Sequence, residues 1–331
     1  MGHTAAQVSN ARHAWERRRC KNAERRTCWA CDGTGRRSCV VCADRAFVTL
    51  AMMSVGSSPI RTYRAFRANE GLGQKLRGLA RAAAIAALAP SRSPTRKTGW
   101  VRFPYYHHVF DDERAGFARQ LKYFKNIGEI IGIDDAVAII ESENPIDGRY
   151  FCLTFDDGFK NWIENALPIL VEHQAVAAFF VATGYIGTDP ERDRERLLDF
   201  YDDRSRLMAF LSWEDCRQMV AAGMTIGSHS VGHVYLKSLD DNVAMDELTI
   251  SRDMILEKTG QPCRHFCCPF GRTDVDFDPK RHPQMAAQAG YESFLTGHRG
   301  KNRPGDSPFD IKRDHLLANW SDHHLRYFLG D

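Results

Sequence analysis

Two adjacent aspartates are the first residues of this chain whose spacing suits hydrolytic chemistry. Asp156 and Asp157 end an apolar run that predicts a buried strand, and Gly158 permits a sharp turn directly after them. Two carboxylates side by side at a strand end repel each other unless a metal ion or a proton separates their charges. The pair therefore indicates a site that handles a cation or a proton.

Two histidines further along the chain supply the complementary ligand type. His229 and His233 stand four residues apart, after a second predicted strand. With Asp157 they make a set of two imidazoles and one carboxylate. Three protein ligands of these types bind a metal and leave one coordination position open for water. The combination predicts a hydrolytic metal site.

The two motifs together resemble those of a known family. The sequences TFDDG at residues 154–158 and HSVGH at residues 229–233 resemble the motifs of the polysaccharide deacetylases with a NodB-homology domain, carbohydrate esterase family 4. They occur in the family's order, each after a predicted strand. The resemblance extends over residues 101–331.

This resemblance implies a role for each residue of the two motifs. Asp157, His229 and His233 match the metal ligands, and zinc is the divalent ion expected from these ligand types. A zinc ion lowers the pKa of a bound water to about 7. Asp156 matches the general base, which removes the proton of that water as it attacks the acetamide carbonyl.

A third motif resembles the wall of the family's substrate groove. Pro269 and Gly271 match substrate-lining positions, and the amide N–H of Phe270 matches a donor that stabilises the oxyanion together with the metal. Here the chain departs from the fuller family pattern. That pattern has an arginine two residues before the proline, where this chain has Cys267.

The arginine that orients the base must therefore come from elsewhere, and Arg313 and Arg264 are the candidates. We expect Arg313, because the sequence IKRDHL at residues 311–316 resembles the last strand end of a related subset of the family. His315 is then the expected general acid that protonates the leaving amine. His107 stands where the family often has a Tyr-His pair and is expected to line the substrate groove, with a structural histidine as the alternative.

The resemblance implies a metal-dependent hydrolase that removes N-acetyl groups from the amino sugars of a glycan or a glycan precursor and releases acetate. O-deacetylation, or hydrolysis of another C–N amide bond in the same site, is the nearest alternative. A catalytically impaired glycan-binding module is a second one, suggested by the missing arginine. A pure binder has no need of both Asp156 and Asp157, which argues against it. The expected partner is an N-acetylated carbohydrate.

The charge of the chain is unevenly distributed. Of 331 residues, 43% are hydrophobic, and the formal net charge is +3. Residues 1–100 hold 19 Lys and Arg against 5 Asp and Glu, a net of +14, whereas residues 101–331 hold 26 against 37, a net of −11. We expect residues 1–99 to form a basic, largely irregular extension with a linker at its end. Residues 100–331 then form the NodB-like domain.

The basic extension gives little information about binding partners. Electrostatic contact with anionic lipid, nucleic acid or an acidic glycan is one interpretation, and a disordered tail is the other. Nucleic acid is not expected as a partner because the arm lacks interleaved aromatic residues, although a nucleic-acid binder remains the alternative from a different functional class. No membrane contact is expected beyond that of the basic extension. The sequence does not determine the oligomeric state.

Four cysteines in the extension have the spacing of a zinc knuckle. Cys28 and Cys31 form one C-x-x-C pair, and Cys39 and Cys42 form a second. Two such pairs can supply four thiolates to one tetrahedral zinc, which would be a second, structural ion. The string around the first pair resembles the zinc-binding repeat of DnaJ-type chaperones, in one short copy. The alternatives are a loop of reduced cysteines with no metal, or a segment outside the mature protein.

Hydropathy and the cysteines of the predicted domain bear on the cellular compartment of the protein. The apolar stretch at residues 47–55 is too short to span a bilayer and too far from the N-terminus for a signal peptide. The five cysteines of residues 101–331 lack the even spacing of a disulfide framework, which favours a reducing compartment. A cytoplasmic location is the expectation. These cysteines are Cys152, Cys216, Cys263, Cys267 and Cys268.

From residue 101 onward, predicted strands alternate with predicted helices and no internal repeat occurs. Repeated β-α units indicate a mostly parallel sheet, closed or nearly closed into a barrel, with the chemistry at the carboxyl ends of the strands. The family resemblance narrows this α/β class to a distorted (β/α)7 barrel. The last strand of the barrel is expected at residues 309–312.

Overall fold

The computed structural model describes residues 58–97 and 99–330. The predicted zinc knuckle lies outside the described residues. Residues 60–188 and 209–331 belong to one compact unit, and residues 189–208 belong to another. The expected boundary between an extension and a domain at residue 99 stays a prediction.

Within the larger unit, short strands alternate with helices as the sequence predicts. The strands are β1 (Trp100–Arg102), β2 (Pro104–Tyr106), β3 (Glu129–Ile130), β4 (Arg149–Phe151), β5 (Leu153–Asp157), β6 (Ala177–Val181), β7 (Thr225–Ser228), β8 (His265–Cys267), β9 (Ser293–Leu295) and β10 (Asp314–His315). The α-helices are α1 (Tyr63–Phe66), α2 (Leu72–Leu88), α3 (Arg114–Ile127), α4 (Ile133–Glu141), α5 (Leu167–Glu172), α7 (Trp213–Ala221), α8 (Asp241–Thr259), α9 (His282–Gln288) and α10 (Asp322–Leu329). The helix α6 (Arg194–Leu198) belongs to the smaller unit.

Seven of the strands form one parallel sheet in the order β10-β2-β5-β6-β7-β8-β9. Its two edges approach each other through a single segment of chain. Ile311 bridges Leu295 of β9, and Asp314 pairs with Pro104 of β2. The sheet is therefore curled into a nearly closed barrel, which confirms the expected distorted (β/α)7 fold.

The expected strand at residues 309–312 is wrong. The structure has a strand at Asp314–His315, and Ile311 makes only one isolated bridge. Residues 307–310 form a turn, in which the N–H of Asp310 donates to the carbonyl of Ser307. The shift matters because it sets Arg313 directly before the strand that pairs with β2.

The side chains of β5 alternate between the hydrophobic core and the interior of the barrel. Phe155 stacks on Phe179 with ring centroids 4.6 Å apart and also meets Phe117 of α3, so this face of the strand packs against the helices. Successive side chains of a strand point to opposite faces. Asp156 therefore points into the barrel, where Cys267 and other buried residues pack.

In the smaller unit, the described residues carry a short charged helix. α6 is followed by Arg204, whose guanidinium pairs with Glu195 at 2.7 Å and also with Asp199. The many charged residues of this short segment are typical of a solvent-exposed loop or helix, and both partners of these ion pairs are exposed.

Two observations bear on compartment. No helix among the described residues is long and apolar enough to cross a membrane. The five cysteines of the described segments are buried free thiols. The cytoplasmic location stays a prediction.

Candidate active site

The carboxyl ends of five barrel strands carry the predicted site residues. Parallel strands present their carboxyl ends at the same edge of a barrel, which is where active sites of such folds lie. The residues at these ends are His107 after β2, Asp156 and Asp157 of β5, His229 and His233 after β7, Pro269, Phe270 and Gly271 after β8, and His315 of β10. Arg313 lies directly before β10.

Asp157, His229 and His233 lie close enough to share one ion. The Nε2 atoms of the two imidazoles lie 3.4 Å and 3.2 Å from Oδ1 of Asp157, and one ligand atom from each residue falls within 4.8 Å of the others. Oδ1 of Asp157 is buried and has no hydrogen-bond partner. A buried carboxylate oxygen left in this state, facing two imidazole nitrogens, fits a divalent cation.

A hydrogen bond to the backbone fixes the orientation of the His229 ring. Its Nδ1 lies 2.8 Å from the carbonyl oxygen of Cys267, and because a carbonyl only accepts, Nδ1 carries the proton. Nε2 is then left with its lone pair towards Asp157. Metal-binding histidines characteristically donate their second N–H in this way. The donor set and its support therefore fit zinc, although the identity of the ion stays a proposal.

A buried glutamate holds the turn that presents the two histidines. The N–H groups of Val231 and Gly232 both donate to Glu247 of α8 at 2.8 Å, and Glu247 is only 2% exposed. Sequence reasoning missed this residue. The available signal is that Glu247 shares the buried face of its helix with Leu248 and Ser251, where a charge requires a partner.

Backbone strain is concentrated at the same edge of the barrel. Asp157, His233 and Phe270 have φ angles of 96°, 52° and 61°, in the left-handed region that residues other than glycine rarely occupy. Such conformations cost about 1–3 kcal/mol each and persist where the surroundings impose them. Asp157 and His233 belong to the ion-binding cluster and Phe270 lies beside it, so the fold maintains the strain where the chemistry is expected.

Asp156 is held by a bidentate arginine. Nη1 and Nη2 of Arg313 donate to its two oxygens at 2.7 Å and 2.8 Å, and the thiol of Cys267 contacts Oδ1 at 3.5 Å. Burial opposes ionisation of this carboxyl, but the Arg313 guanidinium and nearby imidazoles outweigh it and hold the pKa of Asp156 below its usual range. The aspartate is therefore ionised and available to accept a proton.

Arg313 is itself fixed on two further sides. Its Nε donates to the carbonyl of Thr296 at 2.8 Å, and its guanidinium lies 4.2 Å from the ring centroid of Tyr105. The other arginine candidate lies elsewhere. Arg264 precedes β8, at the opposite end of that strand, and pairs with Asp134 at 2.6 Å on the surface. The structure brings Arg313 to Asp156 and does not bring Arg264 there.

The two histidines expected on the substrate side contact each other. Nδ1 of His107 lies 3.2 Å from Nε2 of His315, so one ring donates to the other. Burial, together with the charges of His107 and Arg299, lowers the pKa of His315 to about 3. His315 is therefore neutral at rest and gains its proton only when a partner supplies one. Its role as general acid stays a prediction.

The segment after β8 makes a tight turn beside the cluster. Gly271 has φ +73°, and a Cβ there would lie 2.3 Å from the amide nitrogen of Gly297, so only glycine fits. The ring of Phe270 lies 4.6 Å from that of His233 and stacks on Tyr235 at 4.1 Å. Both stacked rings are exposed, Phe270 by 42% and Tyr235 by 36%. Sequence reasoning did not single out Tyr235.

Comparison with known proteins agrees with this geometry. The family model described as polysaccharide deacetylase matches residues 143–294, which include both aspartates and both histidines but end before Arg313 and His315. A curated relative, the "uncharacterized 30.6 kDa protein in fumA 3′region" of Geobacillus stearothermophilus, is 27% identical over 110 residues. That match covers 33% of either chain, so this chain spans only a third of that relative.

Solved structures share the fold. IcaB from Ammonifex degensii superposes with a TM-score of 0.58 at 21% identity, over 70% of this chain and 97% of that chain. The Streptococcus pyogenes deacetylase PplD, in complex with acetate, gives a TM-score of 0.56 at 21% identity over 70% and 99%. The BpsB deacetylase domain from Bordetella bronchiseptica gives 0.51 at 20% identity over 68% and 97%. Residues 143–294 thus match the polysaccharide deacetylase family model, and the barrel that contains them has the fold of these solved structures.

Proposed function

We propose that the chain is a metal-dependent hydrolase that removes N-acetyl groups from the amino sugars of a glycan or glycan precursor. The observation that carries this proposal is the arrangement of the two aspartates. Asp156 is ionised and clamped by Arg313, while Asp157 faces His229 and His233. One carboxylate is thus placed to accept a proton and the other to bind a cation, which is the division of labour that amide hydrolysis requires.

Each residue of the site then has a defined task. A divalent ion held by Asp157, His229 and His233 would supply Lewis acidity to the reaction. Asp156 accepts the proton of the attacking water, and Arg313 keeps its carboxylate in one rotamer. The amide N–H of Phe270 donates to the carbonyl oxygen as negative charge develops on it.

The leaving amine needs a proton from a group other than Asp156. His315 and His107 share a hydrogen bond and form a route along which that proton can reach the nitrogen. Because His315 is neutral at rest, it must first take up a proton from solvent, which His107 can relay; it then donates that proton to the leaving amine and is neutral again.

The alternatives differ in how well the structure supports them. A catalytically impaired binding module was suggested by the absence of an arginine before Pro269. Arg313 makes the bidentate contact with Asp156, so that argument no longer supports the module. O-deacetylation uses the same set of residues, and only the leaving group differs, since an alkoxide also needs protonation.

Acetate release tests the proposal directly. The protein would be incubated with matched N-acetylated and O-acetylated oligosaccharides, with metal analysis of the same sample and Asp156→Asn as the inactive control. We expect acetate from N-acetylated substrates in the presence of the ion. Release from O-acetylated substrates alone would make the chain an O-deacetylase. Binding of oligosaccharides without release by ion-loaded protein would make it a binding module.

A further inference from the structure

Helix α2 presents an unusual apolar stripe to solvent. Leu72, Leu76 and Leu79 are 73%, 56% and 70% exposed, and their spacing of four and three residues aligns them on one face. The opposite face carries Ile85, which is only 5% exposed. Ile85 is the buried residue of the helix, whereas residues 71–81, which include the three leucines, are all exposed.

The helix and its surroundings are strongly basic. α2 carries Lys75, Arg77 and Arg81 and no acidic residue, and residues 61–97 hold nine Lys and Arg against Glu70 alone. Within the part of the chain that the structure describes, these three α2 cations form no ion pair with a carboxylate. The guanidinium of Arg81 lies over the ring of Phe328, 5.8 Å from its centroid, so Lys75 and Arg77 are the charges most available to an external anion.

A cavity of ≈ 1040 Å³ adjoins the helix. Its wall combines apolar side chains, Leu79 and Ile85 of α2 and Leu317 and Trp320 of the segment before α10, with the cations Lys75 and Arg81 and the carboxylate of Glu70. A space lined by aliphatic and indole groups and bordered by cations suits an amphiphile with an anionic head.

We propose that α2 docks this protein on the surface of a bilayer that contains anionic phospholipids. The leucine stripe would enter the boundary between head groups and acyl chains, and the flanking cations would contact lipid phosphates. A basic helix with one aliphatic face has this behaviour at membrane interfaces. The inference concerns where the protein acts and does not rest on the proposed reaction.

Other occupants fit the surface less well. A second copy packed on the same stripe would bring Lys75, Arg77 and Arg81 of both chains together, which like charges oppose. A protein partner usually meets aromatic, Met or Arg anchors, whereas this stripe is made of leucines and alanines. An acidic glycan matches the charge, but three aligned leucines would give it nothing to bind.

Vesicle cosedimentation with the full chain tests the proposal. The variant in which Leu72, Leu76 and Leu79 are all changed to serine keeps the net charge, so any binding by the basic residues 1–57 is the same in wild type and variant. We expect its partitioning onto phosphatidylglycerol-containing vesicles to fall at least tenfold. The matched control is Leu256→Ser, which alters a 47% exposed leucine of α8 and should leave partitioning unchanged.

A second variant tests the electrostatic half. Lys75→Gln together with Arg77→Gln should weaken binding to the same vesicles, and wild type should bind purely zwitterionic vesicles at least tenfold less. Equal partitioning of the leucine variant and wild type would overturn the proposal, as would equal binding to neutral and anionic vesicles. A change in molar mass of the leucine variant, with unchanged vesicle binding, would assign the stripe to a second copy instead.

Discussion

The guanidinium of Arg313 pairs with both oxygens of Asp156, across 157 positions of sequence. The family pattern takes its arginine from two residues before the proline of the groove wall. Cys267 stands there in this chain, and its thiol contacts Oδ1 of the same aspartate at 3.5 Å. The small side chain leaves the space that an arginine from a different strand end then fills.

Replacing this arginine should impair the reaction. In Arg313→Met, Asp156 loses both charge-assisted hydrogen bonds that fix its rotamer, and a misplaced catalytic group costs about 10²-fold in kcat. Arg313→Lys should recover only part of the rate, because an ammonium cannot make the bidentate contact. Steady-state kinetics on an N-acetylated oligosaccharide would measure both variants.

The matched control is Arg264→Met. Arg264 pairs with Asp134 at the surface, where it is half-exposed, so its loss should change kcat by less than about twofold. If Arg264→Met lost as much activity as Arg313→Met, the assignment of the orienting arginine would be reversed.

Asp156→Asn separates proton transfer from metal binding. The amide keeps the size of the side chain but does not accept the proton of the water, and loss of a general base costs about 10²–10⁴-fold in rate. The ion should stay bound, because its ligands Asp157, His229 and His233 are untouched. Near-normal turnover in this variant would remove Asp156 from the mechanism.

The converse experiment removes the ion. Asp157→Ala and His233→Ala should each lose the metal and the activity while keeping the circular dichroism of the wild type. The measurement is elemental analysis, made in a background where Cys28, Cys31, Cys39 and Cys42 are serine so that a second ion does not mask the loss. His323→Ala, on the exposed face of α10, is the control. An unchanged metal content in both ligand variants would refute the ligand assignment.

The sequence alone predicts the residues of this site that belong to local patterns. Asp156 and Asp157 end a run of strand-forming residues, and His229 and His233 follow another. The same short stretch of sequence therefore predicts both the strand and the functional side chains at its end. The barrel followed from the alternation of strands and helices. The contact between Arg313 and Asp156 was anticipated only through the resemblance to a subset of the family.

Residues that act through the tertiary structure could not be found in this way. Glu247 lies in the middle of a long helix, and only the fold brings it to the turn between the histidines. Tyr235 follows the HSVGH motif without a pattern of its own and gains its meaning from stacking on Phe270. The position of the last strand was predicted wrongly because a strand of two residues is too short to give a periodic pattern in the sequence.

The stacked pair of Tyr235 and Phe270 makes a prediction about substrate binding. The two exposed rings are stacked in parallel planes beside the ion-binding cluster, and the outer face of Tyr235 can contact the apolar face of a sugar ring. Tyr235→Ala should raise KM for an oligosaccharide about three- to tenfold, in proportion to the 0.5–1.5 kcal/mol of an aromatic contact, and change kcat less. Tyr235→Phe keeps the ring and should keep KM. A fall in kcat with unchanged KM would contradict the platform.

Glu113, before α3, makes the stability of the fold depend on pH. Burial, reinforced by the charge of Asp112, raises the pKa of Glu113 from 4.5 to about 7, although the N–H of Phe110 donates to its carboxylate. The folded state therefore favours the neutral acid. The stabilisation is complete below about pH 4.5 and is lost as the pH rises through 7, which is a change of about 2–3 kcal/mol in the free energy of unfolding.

Glu113→Gln should remove this dependence. The amide oxygen can still accept from Phe110, but it carries no charge at any pH, so the variant should gain stability relative to wild type between pH 5 and pH 8. Urea unfolding at both pH values measures the difference, and Glu172→Gln, at an exposed position of α5, serves as the control. Parallel pH profiles for Glu113→Gln and wild type would show that the buried carboxyl is not the group whose ionisation destabilises the fold, since removing its charge would then have changed nothing.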